Sequence, residues 1–284
     1  MVGLQVLNYF AKMNKEEDTK QNVSSNIIYS ERKKQYEAVS GEKKDEGTYS
    51  LQTNIIEKFL DKCNDKDIQG AYDLLSDDCK KTLYPSINDF IDGYYNKNFN
   101  EKKSYSYQAW SGDTYAIQLR QDILSTGMYS DSAYTEDYYT IVSNSKLNIN
   151  RYIKKVNVNK EIERYGIKIK IVDIDFFNEY SVCNIKVLNK TEQEIMIDSG
   201  EKNDTVFFTD KNDVKFNSFI NELDESKIRI LKGENKDISI KFNCVYREKL
   251  KIDKVTFGNI IMNYNKYKEN TLEENDIKNI EVNV

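Results

Sequence analysis

Four cysteines, a set of aspartates among tyrosines, and no histidine define the side-chain chemistry open to this 284-residue chain. The missing histidine removes the commonest general base, the commonest metal ligand and the usual partner of a Ser or Cys nucleophile. Carboxylate, phenol, amine and thiol chemistry remains. Asp89, Asp92 and Asp122 stand among several tyrosines. A carboxylate base facing a phenolic donor can move a proton beside a carbonyl group. The plainer reading is that these aspartates cap helices or face water, and that the tyrosines pack their rings with the hydroxyl at the rim. The plainer reading carries more weight, so no catalytic residue is expected.

Cys63, Cys79, Cys183 and Cys244 allow three pairings. Without a CxxC spacing or a histidine, a zinc site is not expected. One pair falls in each half of the chain. Cys63 and Cys79 lie in consecutive helical segments, and Cys183 and Cys244 lie in separate strands. The expectation is two intradomain disulfides, Cys63–Cys79 tying helices and Cys183–Cys244 tying the two sheets of a sandwich, in an oxidising compartment. Free buried thiols are the alternative.

Two oxygen-rich segments resemble cation loops. Asp65, Asp67, Gln69 and Gly70 begin like a calcium loop, but the twelfth position is Ser76 rather than glutamate, so the segment reads as a turn between helices. Asp210, Asn212 and Asp213 read as a solvated turn. Lys249, Lys251 and Lys254 alternate with Leu250, Ile252 and Val255, as the polar face of a strand would; the other reading is contact with an anionic envelope surface. No metal and no cofactor are expected.

Net charge is −5, unevenly spread. Residues 51–150 hold 10 Lys/Arg against 15 Asp/Glu, while residues 151–284 hold 24 of each. A nucleic-acid surface needs clustered positive charge to release counterions from phosphates, so nucleic acid is not an expected partner.

The apolar share of 39% and aromatic share of 12% suffice for packed cores, and the length suits two domains. Residues 1–48 read as a membrane-proximal segment and polar tether. The opening apolar stretch, Val2 to Ala11, is shorter than the ~20 residues a membrane-spanning helix needs. It reads either as a frayed amphipathic segment or as the outer end of an anchor helix that begins upstream. In residues 49–157, Leu51, Ile55, Phe59 and Leu60 fall at helical spacing, with Ile56 and Cys63 close by. A second helix runs through Ala71 and Leu75, and Asp77 and Asp78 open a third segment before Cys79. Pro85 breaks the chain and Ser86 caps a helix carrying Phe90 and Tyr94. After Phe99 the period changes to two, at Tyr105/Tyr107, Tyr115/Ile117/Leu119, Tyr139/Ile141 and Leu147/Ile149. In residues 160–284, alternation at Ile167/Ile169/Ile171, Val182–Leu188, Ile195/Ile197, Val206/Phe208, Ile228/Ile230, Ile238/Ile240/Phe242 and Val255/Phe257 marks about seven strands.

The segments "FLDKCNDKDIQGAYDLLSDDCKKTLYPSINDFIDGYY", "DTYAIQLRQDILSTG", "EDYYTIV" and "KLNINRYI" resemble the nuclear-transport-factor-two-like (cystatin-like cone) modules of Gram-positive membrane-anchored proteins. The segments "VCNIKVLNKTEQEIMID", "TVFFTDKNDVKF" and "IRILKGENKDISIKFNCVY" resemble the immunoglobulin-like domain of Gram-positive lipoproteins. These resemblances imply an α+β cone, helices packed on a curved antiparallel sheet, followed by an all-β immunoglobulin-like sandwich. They imply a non-enzymatic, extracytoplasmic binding or scaffolding protein, membrane-anchored at the cell surface, with a protein partner or a cell-wall component. An accessory subunit of a conjugation- or secretion-type assembly is one form of that role. The cone fold also hosts isomerases, so a small-molecule binder or isomerase-like enzyme using the cone cavity is the alternative.

Overall fold

The computed structural model describes residues 46–121, 134–200 and 204–284. Residues 1–45 of the expected tether and the candidate Asp122 lie outside them. The chain divides into two compact units between Asn150 and Arg151. The sequence reading placed a boundary near residues 157–160. Strand β5 (Tyr152–Arg164) runs through those positions and pairs with β6 (Ile167–Phe177) from Tyr152 to Arg164.

The first unit places helices before an antiparallel sheet. Helix α1 (Glu46–Asn64) buries Ile55, Ile56, Phe59, Leu60 and Cys63. Leu51 was expected on this stripe but is 56% exposed. At 3.6 residues per turn it lies about 120° around the helix from the stripe's centre. The segment reminiscent of a calcium loop is the turn into α2 (Ile68–Asp73): Asp67 caps that helix by accepting from the Gly70 amide at 2.9 Å and pairs with Lys62. Ser76 caps α3 (Asp77–Leu83) through the Cys79 amide. After Pro85, Ser86 and Asp89 form a capping box on α4 (Ile87–Phe90). The chain continues as a π-helical turn, Ile91–Tyr95, whose wider winding buries both Tyr94 and Tyr95. Gly93 makes room there, since a Cβ would sit 3.2 Å from the Tyr84 ring.

Strands β1 (Lys103–Ser111), β2 (Thr114–Gln121), β3 (Tyr134–Ser143) and β4 (Lys146–Asn148) pair in that order, all antiparallel. Gly112, at φ +52°, makes the turn between the first two. Alternation turns Tyr115, Ile117 and Leu119 of β2, and Tyr139 and Ile141 of β3, into the interior.

The second unit consists of two antiparallel sheets around one hydrophobic core. The first has the order β12–β7–β6–β5, with β7 at Ser181–Asn189 and β12 at Asn235–Phe242. The second is built on β13 (Ile252–Ile261), flanked by β9 (Val206–Asp210) on one side and β14 (Ile277–Asn283) on the other. The short strands β8 (Ile195–Met196), β10 (Lys215–Asn217) and β11 (Arg229–Ile230) complete it. Ile228, expected in a strand, ends a short helical turn instead. Phe208 of one sheet stacks on Phe242 of the other with centroids 3.8 Å apart. The side chain of buried Asn189 ties loop backbone together, donating to the carbonyls of Gln193 at 2.8 Å and Ile230 at 3.2 Å. Gly258 admits a close backbone approach: its amide donates to Thr205 O at 2.7 Å, where a Cβ would collide. Among the described residues no helix is long and apolar enough to cross a membrane.

Candidate functional site

The first unit buries one carboxylate among phenols. Asp137 stands on β3 opposite Ile117 and in phase with Tyr139, so alternation turns both inward. The π-helical turn delivers Tyr94 to the same point. Its hydroxyl donates to Asp137 Oδ2 at 2.7 Å and lies 2.8 Å from the Tyr139 hydroxyl. The single Tyr94 proton is committed to the carboxylate, so Tyr139 donates to Tyr94. The amides of Tyr138 and Asn150 also donate to Asp137, at 2.7 and 3.3 Å. Burial, and then the Asp137 charge, push both phenols well above their ordinary range. They stay protonated donors at neutral pH.

Aromatic rings close over this group. Phe59 meets Tyr139 edge-on at 5.7 Å, Phe90 stacks on Tyr94 at 5.8 Å, and Tyr84 packs edge-on against Phe90 at 5.7 Å. The Tyr84 hydroxyl in turn accepts from Asn150 at 2.9 Å. Two open surface depressions lie elsewhere. One of about 380 Å³ runs along α1 beside Glu57, Asp61 and Asp65, and one of about 270 Å³ lies beside Asn217, Phe219 and Asn243. Neither is lined by Tyr94, Asp137 or Tyr139.

The aspartates nominated from sequence do not belong to this group. Asp89 accepts from the Ser86 hydroxyl and amide, which hold its carboxyl below the usual carboxylate range. Asp92 is exposed, with Asn96 at 3.5 Å. Asp137 was missed, although its two-residue offset from Tyr139 in "EDYYTIV" carried the signal.

The expected disulfides Cys63–Cys79 and Cys183–Cys244 are not formed in this structure. All four cysteines are buried free thiols. Cys183 stands on β7 opposite Ile240 of β12, and Cys244 lies beyond the end of β12, in the loop that follows it. Burial pushes the Cys79 and Cys244 thiols up to about 12, and those of Cys63 and Cys183 higher still. Thiols held this way are poor nucleophiles.

The Asp210 loop satisfies itself: Asp210 Oδ1 accepts from the amides of Asn212 at 2.8 Å and Val214 at 2.9 Å. Of the three lysines expected on one strand face, only Lys254 lies within β13, where it pairs with Glu281 at 3.3 Å. Among the described residues no cluster of acidic and cysteine side chains fits a metal ion.

A second polar group lies on the second unit's first sheet. Lys155 Nζ is 3.3 Å from Asp173 Oδ2 and 3.4 Å from Asp175 Oδ1, while Asn184 donates to both carboxylates, at 2.6 and 2.9 Å. The Tyr152 hydroxyl donates to Asp175 at 2.9 Å.

No protein-family model matches this chain, and no curated protein matches it. One solved structure, a conserved hypothetical protein from Bacillus anthracis, is 13% identical to it over 32% of this chain and 81% of that one, with a TM-score of 0.24. A likeness at that level carries no argument.

Proposed function

We propose that this chain is a non-enzymatic binding or scaffolding protein of a Gram-positive cell envelope, its first unit a nuclear-transport-factor-two-like cone and its second an immunoglobulin-like sandwich. The observation that carries the non-enzymatic reading is the filled interior of the first unit. Tyr94, Tyr139, Phe59 and Phe90 are buried around Asp137, and each Asp137 oxygen already accepts a hydrogen bond. A general base must reach the proton it removes, and a carboxylate packed behind four rings has no such access. In this proposal the partner is a protein or a cell-wall component, with an accessory role in a conjugation- or secretion-type assembly as one form of it. The extracytoplasmic, membrane-anchored placement rests on the sequence resemblance alone, since the thiols lend it no disulfide.

Surface biotinylation of intact source cells with a membrane-impermeant amine reagent tests the placement. The chain is expected to label before lysis; labelling only after lysis sinks the placement. The alternative, a small-molecule binder or isomerase-like enzyme, is favoured by one arrangement, the Tyr94–Asp137–Tyr139 group. Titration with anilinonaphthalene sulfonate separates the two. Saturable binding at one site, lost in Asp137→Asn while the fold persists, favours the alternative; no saturable site favours scaffolding.

A further inference from the structure

The depression beside Asn217, Phe219 and Asn243 is built where an edge of one sheet of the second unit meets the other. Past the end of β10 the chain pairs briefly with β12, the edge strand of the first sheet. The Phe219 amide donates to Lys241 O at 2.8 Å, and the Asn243 amide donates to Asn217 O at 2.9 Å. Ser218 stands opposite Phe242 in this pairing, and both are buried. Alternation therefore sets Asn217 beside Asn243, and Phe219 beside Lys241, on the outward face. Exposure follows that pattern: both asparagines are exposed and Phe219 is half-buried. Lys241 Nζ lies 4.5 Å from the centre of the Tyr180 ring and 5.1 Å from that of Phe219. Among the described residues no carboxylate pairs with Lys241, and neither the Asn217 nor the Asn243 side-chain amide is hydrogen-bonded. Asn221, in the 3-10 turn Ile220–Glu222, borders the depression as well.

We propose that this depression binds a sugar ring carrying a carboxylate, a reading that rests on the cell-wall form of the proposed function and names its ligand. A sugar hydroxyl both donates and accepts, and so does a side-chain amide. Two neighbouring asparagines therefore match adjacent hydroxyl or N-acetyl groups on one ring. The C–H face of a sugar packs on the negative face of an aromatic ring, which is the role of Phe219. Lys241 is held against two rings by cation–π attraction and keeps its ammonium free of protein carboxylates, so a ligand carboxylate gains a charge-assisted hydrogen bond there. Main-chain pairing already holds residues 217 and 243 side by side, so little backbone ordering is spent on binding. Size and polarity decide against other ligands. At about 270 Å³ and open to water, the depression holds one ring and lacks the enclosing apolar walls that an apolar molecule needs. A single lysine, in a half of the chain where acidic and basic residues balance, gives no stripe of charge for a nucleic-acid backbone.

The test uses the full chain and two soluble probes, N-acetylmuramic acid and N-acetylglucosamine, which differ by a lactyl carboxylate. In amide-resolved NMR titrations both are expected to shift residues 217–219 and 241–243, the acidic probe binding about 3-fold more tightly. Lys241→Gln is expected to bring the acidic probe down to the affinity of the neutral one and to leave the neutral one unchanged. The double variant Asn217→Ala/Asn243→Ala, at exposed positions outside the core, is expected to weaken both probes about 10-fold. Circular dichroism checks that each variant folds. The proposal is overturned if neither probe shifts these residues, if the double variant binds as the wild type does, or if the two probes bind the wild type equally. Failure here in a chain that labels on intact cells strikes the sugar site and leaves the envelope placement standing. Binding with these variant effects in a chain that labels only after lysis upholds the site and strikes the placement.

Discussion

The two units solve the same packing problem with different materials. The interior of the first is aromatic and partly polar, with five buried tyrosines and phenylalanines around one carboxylate at Tyr84, Phe59, Phe90, Tyr94 and Tyr139. The interior of the second is mainly aliphatic, dominated by Ile and Val with four phenylalanines, and its polar network lies on the opposite face of a sheet. A phenol-and-carboxylate interior works only when each hydroxyl has a partner of the right sense, because an unpaired buried polar group costs roughly 1–3 kcal/mol. An aliphatic interior tolerates changes of hydroxyl chemistry but not of volume. The first unit is therefore the pH-sensitive one and the second the volume-sensitive one.

Alkaline titration should separate them most strongly. Burial raises Tyr84, Tyr94 and Tyr139 in the first unit, together with Cys63 and Cys79. A folded-state value above the unfolded one means the native state binds more protons. That stability is complete below the unfolded values, about 8.5 for thiols and about 10 for phenols, and is lost as pH rises past them. The second unit has Cys183 and Cys244 and, among its tyrosines, the raised Tyr180. Near-ultraviolet circular dichroism should show the first unit unfolding first, in step with tyrosinate absorbance. Smooth titration near pH 10 without loss of structure would break the comparison.

Volume probes the other side. Phe242→Ala removes one half of the 3.8 Å stack with Phe208 and should cost about 3–5 kcal/mol. In denaturant the loss should appear only in the second unit's transition, and a shift of both transitions would contradict separate cores. Asp137→Ala strips Tyr94 of its acceptor and leaves a small void, at an expected cost of about 2–4 kcal/mol confined to the first unit. Asp137→Asn keeps an acceptor oxygen and should cost less; equal losses in urea melts would argue against the hydrogen-bond account. The smallest effect is expected at Ser76, which caps α3 and also bonds Asn148. Ser76→Ala should lower the first unit's stability by about 1 kcal/mol, measured by the same melts.

Much of the element pattern was legible because local rules governed it. Ser76, Pro85 and Ser86 punctuate the helices where capping chemistry places them. The alternation at Tyr115/Ile117/Leu119 and at Ile238/Ile240/Phe242 corresponds to β2 and β12. Strand β14 escaped notice because only Ile280 and Val282 alternate inward there, too short a pattern to stand out from a polar tail. The start of β5 at Tyr152 was not legible because β5 is a polar edge strand whose apolar residues are interrupted by the bulge between Asn157 and Lys160. The two polar groups were illegible for a related reason: a carboxylate's role depends on which face it takes, and the bulge at Ile171–Asp173 reverses the face in mid-strand.

The sequence by itself determined the composition and the local elements: no imidazole chemistry, no net positive charge in residues 51–150 or 151–284, helices before strands, antiparallel sheets after. Those follow from composition, charge and the 3.6- and two-residue periods, which act over a few neighbours. Tertiary structure alone decided that Asp137 meets Tyr94 across 43 positions and that Cys244 falls beyond the end of β12 rather than within a strand. It also decided that one lysine faces two aspartates. These are matters of register and strand order, set by the total burial of two cores and carried by no local run of residues.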